Sequence, residues 1–118
     1  MITHIVLFSP QATIALHQKS EILASLRRAV EACPAVRASR IGRRVRHGLP
    51  GYEQHMHEDY QYVLELDFDD VEGLKAYLEN PAHAAIGGFF TSAASAALAY
   101  DYEVVPLEDA VAFVGRGL

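Results

Sequence analysis

The chain has 118 residues, 51% of them hydrophobic, which sets the size of one domain and excludes a disordered chain. Its formal charge of −5 speaks against a protein that coats nucleic acid. No apolar run approaches the roughly 20 residues that span a bilayer, and the apolar start lacks the basic region and small-residue cleavage site of a signal peptide.

Cys33 is the only cysteine. It can form no intramolecular disulfide and no Cys-rich metal site, so a reducing compartment, the cytoplasm, is expected. Beside Pro34, at the end of a helical pattern, it reads as a small buried apolar residue rather than a nucleophile.

In chain order, residues 2–8 form a short apolar run rich in β-branched residues, hence a first strand. One face carries Ile2, His4, Val6 and Phe8, and the other Thr3, Ile5 and Leu7. Ser9-Pro10 is expected to break it. A helix follows over about 13–33, with Ile22, Leu26, Val30 and Cys33 on one stripe and Pro34 as its stop.

Residues 36–46 read as a second strand carrying Arg37, Arg40, Arg43, Arg44 and Arg46, followed by His47. Alternation puts Arg40, Arg44 and Arg46 on one face and Arg37 and Arg43 on the other. That pattern fits an exposed edge protected by charge, against the alternative of an anion or nucleic-acid site. Residues 47–59 read as a loop through Gly48, Pro50 and Gly51. Within it, His55-Met56-His57-Glu58-Asp59 matches no strong metal-ligand spacing and reads as solvated.

Residues 60–68 alternate as a third strand, with Tyr60, Tyr62, Leu64, Leu66 and Phe68 on one face. Asp69 and Glu72 fit a capping box for a helix whose stripe is Val71, Leu74 and Leu78. Asn80-Pro81 looks like an N-cap followed by a first-turn proline. The second helical piece carries Ile86, Phe89, Phe90, Ala93 and Ala97. Residues 99–105 form a last strand with Tyr100, Tyr102 and Val104 on one face. The tail, 106–118, keeps Leu107, Val111, Phe113 and Val114, and is expected to pack on the domain or on a partner subunit.

The order β-α-β-β-α-β is the ferredoxin-like arrangement, an α+β fold with one antiparallel sheet and its helices on one face. Strands one, three and four are expected to turn apolar or aromatic residues toward the helices. Ile5 and Leu7 make the other face of the first strand apolar too. Such a sheet needs a cover, which a second copy supplies through a two-fold contact.

Three segments carry a resemblance: Ile2-Thr3-His4-Ile5-Val6-Leu7-Phe8, Tyr77-Leu78-Glu79-Asn80-Pro81-Ala82-His83, and Tyr100-Asp101-Tyr102-Glu103. Over about residues 1–105 the chain resembles the stress-responsive dimeric α/β-barrel (Dabb) family. Where this chain has Asn80, the family usually has His. The resemblance implies a homodimer whose two sheets close a barrel, with a pocket in each subunit between sheet and helices. Most members have no assigned chemistry. One, a plant polyketide cyclase, closes rings by an aldol-type reaction without a metal or organic cofactor. By similarity to it, His83 matches the catalytic base, Tyr77 the hydroxyl partner, and His4 a pocket histidine.

The chemistry is coherent, since aldol closure needs a base near neutral pH and a donor for the developing enolate. Each residue also has a plainer role. His83 could satisfy backbone groups at a helix start, Tyr77 could be a core-edge ring, and His4 a hydrogen-bonded core histidine. Three function classes stand: a protein with a pocket for a small apolar or aromatic ligand, with or without cyclase-like lyase activity, a non-catalytic structural or ligand-binding dimer, and a monooxygenase of the same barrel type. The last rests on fold analogy.

Overall fold

The computed structural model describes residues 1–92 and 94–117. Its sheet is built from β1 (Ile2–Pro10), β2 (Val36–Arg43), β3 (Tyr62–Phe68) and β4 (Ala94–Glu103), in the order β2-β3-β1-β4. All neighbours are antiparallel. The helices α1 (Leu16–Glu31), α2 (Val71–Glu79) and α3 (Pro81–Ser92) complete the ferredoxin-like pattern, and a short α4 (Ala110–Gly117) ends the chain.

Register decides which side chains meet the helices. Ile2, His4, Val6 and Phe8 of β1 pair with Phe68, Leu66, Leu64 and Tyr62 of β3. Leu66 and Phe68 are fully buried there, and Leu26, Ala29, Leu74, Tyr77 and Ile86 close the core from the helix side.

The last strand departs from expectation. Tyr100 and Tyr102 pair with Ile5 and Thr3, so they lie on the sheet's open face and not on the helix side. The helix side of β4 carries Ala97, Ala99 and Asp101 instead. The open face therefore holds Ile5, Leu7, Val63, Leu98, Tyr100 and Tyr102.

Several boundaries also move. Ala97 belongs to β4 and not to the preceding helix, because pairing with Phe8 outweighs the helix preference of an alanine-rich run. Ala93 lies outside the described residues. Strand β1 runs through Ser9 to Pro10, where the register shifts and an N–H is not required. Strand β2 ends at Arg43, opposite Tyr62 where β3 begins, and one further backbone bond runs from the Arg44 N–H to the Gln61 carbonyl at 2.8 Å. Helix α2 is capped by Asp70, whose Oδ1 accepts from the Gly73 N–H at 2.8 Å, while Asp69 pairs with Arg37. The buried stripe of α2 is Leu74 and Tyr77, with Val71 and Leu78 partly exposed. The Asn80 cap is present, its Oδ1 accepting from the Ala82 N–H at 2.9 Å.

The arginine strand is an edge, as alternation and charge suggest. Arg37 meets Asp69, Arg40 meets Glu65, and Arg44 and Arg46 both meet Asp59. The loop after it is anchored at its end, where Ser9 Oγ donates to the Asp59 carbonyl and accepts from the Gln61 N–H. His55 and His57 are exposed. Among the described residues no group of three or more His, Cys, Asp or Glu side chains is placed to hold a metal. No described helix is long and apolar enough to cross a membrane. In the tail, Leu107 and Val111 are 90% and 91% exposed within one subunit.

Candidate functional site

His4, Tyr77 and His83 come from three elements and form one contiguous layer. His4 projects from the helix side of β1. Directly across the pair, on β4, stands Asp101, and His4 Nδ1 lies 2.5 Å from its Oδ1. The His4 side chain is 6% exposed, so this carboxylate is what satisfies its ring and fixes its orientation.

Tyr77, 1% exposed, packs 6.0 Å from the His4 ring, 5.7 Å from Phe68 and 4.9 Å from His83, ring centre to ring centre. The bend at Asn80-Pro81 makes the last contact possible. It ends α2 just after Tyr77 and starts α3 so that His83, in the first turn, folds back edge-on to the tyrosine.

Burial sets the protonation states. Desolvation, with a smaller contribution from Cys33, pushes the Tyr77 hydroxyl up to about 12, so it is a donor throughout the neutral range. Desolvation and the nearby His4 hold His83 below the ordinary 6.5, against the opposing pull of a hydrogen bond to the Leu78 carbonyl. His83 is therefore the neutral imidazole at pH 7, a form that can accept a proton.

Sequence reasoning singled out these three side chains but gave Asp101 no role of its own. Its signal is the alternation: one carboxylate between two tyrosines on a strand must point to the opposite face from them.

The open space in the subunit lies elsewhere. A cavity of about 490 Å³ is bounded by α1, the ends of β2 and β3, and Phe89 of α3. It forms because α1 leans on α3 and leaves one end of the sheet partly bare, with Leu23 and Ile41 each 48% exposed. Phe8 is its floor, stacked on Tyr62 and meeting Phe90 edge-on. A smaller cavity, about 160 Å³, separates Ile22 from Ile86. Neither is lined by His4, Tyr77 or His83. His4 and Phe8 share one strand face, about 13 Å apart at the strand rise. The His4–Tyr77–His83 layer and the cavity thus occupy two ends of the same helix–sheet interface.

Comparison with known proteins places this geometry. An Arabidopsis thaliana crystal structure refined as an ensemble is similar at TM-score 0.73 and 20% identity, covering 91% of this chain and 98% of that one. A protein from Jannaschia, described as dimeric, ferredoxin-like and of unknown function, is 27% identical at TM-score 0.67, covering 87% and 98%. The hydroxynitrile lyase of Passiflora edulis shares the fold at TM-score 0.72 and 16% identity, covering 89% and 96%. No curated protein gives a significant match. The model of the stress responsive A/B barrel domain matches residues 2–104, and the chain belongs to that family.

Proposed function

We propose that this protein is a homodimeric small-molecule-binding protein whose ligand occupies the cavity beneath α1. The observation that carries this reading is the cavity itself. Its volume falls in the range of about 300–1,000 Å³ typical of ligand sites, and its walls are largely apolar with a few polar groups. The homodimer is supported by the open sheet face, where Leu98, Tyr100 and Tyr102 are 37%, 52% and 51% exposed. Side chains of that kind on a sheet face call for a cover, and the Jannaschia relative is described as dimeric.

The test is a thermal-shift panel of small aliphatic and aromatic compounds on the wild type and on Ser20→Trp, which fills the cavity from the exposed side of α1. Compounds that raise the wild-type Tm and leave the variant unmoved support the reading. Equal responses, or none in either protein, contradict it.

A second reading, cofactor-independent acid–base chemistry of the cyclase or lyase kind, is favoured by the His4–Tyr77–His83 layer. His83 serves as the base, Tyr77 as the hydroxyl donor, and His4 as the group that Asp101 orients. With Tyr77 1% exposed, a substrate must displace packing around the ring to reach it. On a ring-closing β-polyketone substrate, His83→Gln and Tyr77→Phe are each expected to lower turnover by about 10²–10⁴-fold. Unchanged turnover in both leaves the binding function alone.

A further inference from the structure

Of the five arginines between residues 37 and 46, four are paired with acids: Arg37, Arg40, Arg44 and Arg46. Arg43 has no acidic partner among the described residues, and neither has Lys19. Both residues line the same cavity from opposite walls, Lys19 from α1 and Arg43 from the helix side of β2, beside Tyr62. Ser20 and Tyr62 add hydroxyl groups to its lining. Among the described residues no carboxylate side chain lines it, although Asp and Glu outnumber Lys and Arg by 15 to 10 in the chain.

An apolar cavity whose charged lining residues, among those described, are both cations selects for two things at once. Its walls favour hydrocarbon, and its cations favour an anionic head, with the planar guanidinium suited to a carboxylate. Edge protection does not explain Arg43, because the other arginines of that edge point to acids on their own sheet or loop and Arg43 faces the cavity.

We propose that the cavity beneath α1 binds an amphiphilic carboxylate, its hydrocarbon or aromatic body against Phe8, Ile22, Leu23 and Phe89 and its head held by Lys19 and Arg43. This rests on the small-molecule reading above and names the chemical class of its ligand.

Isothermal titration of the full chain at pH 7.5 with decanoate and with uncharged decanol tests it. The proteins compared are the wild type, the Lys19→Gln/Arg43→Gln double variant and Ser20→Trp, with circular dichroism to confirm that each is folded. The wild type is expected to bind decanoate more tightly than decanol, and octanoate about 15-fold more weakly than decanoate, at about fourfold per methylene. The double variant is expected to lose about tenfold in decanoate affinity and to keep its decanol affinity, since rim ion pairs are individually modest. Ser20→Trp is expected to bind neither. If wild type and double variant hold decanoate and decanol alike, the carboxylate class is overturned while the small-molecule site stands. If the wild type binds neither probe, or Ser20→Trp binds both as the wild type does, the small-molecule site falls and the carboxylate proposal with it.

Discussion

The burial that keeps His83 neutral also ties the fold to pH. With its pKa below the ordinary 6.5, the folded protein binds fewer protons than the unfolded chain across the window between the two values. Stability therefore rises with pH through that window and falls on acidification below about 6.5. Tm is expected to drop between pH 7 and pH 5, and His83→Gln to flatten that drop; a variant with the wild-type acid limb would show that His83 is not the group responsible. Asp101 is the other decisive residue. Removing it in Asp101→Ala leaves the buried His4 ring without its partner, a loss of about 1–3 kcal/mol in urea unfolding. A cost within error of zero would mean that the His4–Asp101 contact does not orient the ring. At this scale the grouping of His4, Tyr77 and His83 was expected from the motifs around them, and their rings do meet. Asp101 was not, because its role arises only from the β1–β4 register, which places it opposite His4.

Among the elements, the Asn80-Pro81 bend matters most to the site, since it turns α3 back so that His83 meets Tyr77. Its cap was readable from sequence because the asparagine and proline act locally. Asn80→Ala is expected to cost about 1 kcal/mol, measured by urea unfolding, and no loss would mean that the Asn80 side chain does not hold the bend. Edge strand β2 has its own constraint at Gly42, where an added Cβ would stand 2.9 Å from Val63 Cγ1. A valine methyl cannot swing away freely, so Gly42→Ala is expected to destabilise by about 1–3 kcal/mol. A neutral variant would show that the β2–β3 pair relaxes. Where the elements were misread, nonlocal pairing overrode a local signal. Ala94, Ala96 and Ala97 favour helix alone yet pair with β1, and Asp69, which the sequence put in the capping box, pairs with Arg37 while Asp70 caps α2.

For the whole molecule, the placement of Tyr100 and Tyr102 on the open face strengthens the case for a covered sheet. Both tyrosines are about half exposed in one subunit, and Tyr100→Glu would put a charge in the middle of the proposed contact. Light scattering is expected to give a dimer mass for the wild type and a monomer mass for that variant; a monomeric wild type contradicts the assembly. The fold class followed from the element order, as did the need for a second layer. The cavity did not, because it depends on how far α1 leans toward α3, a tertiary angle that no periodicity encodes. The central claim, a small-molecule site beneath α1, is tested most directly by methyl NMR of the protein titrated with decanoate. The account predicts shifts confined to Leu16, Ile22, Leu23 and Ile41 around the cavity. Shifts at Ile5, Leu7 and Leu98 with the cavity methyls unmoved would place the ligand on the open sheet face and contradict it.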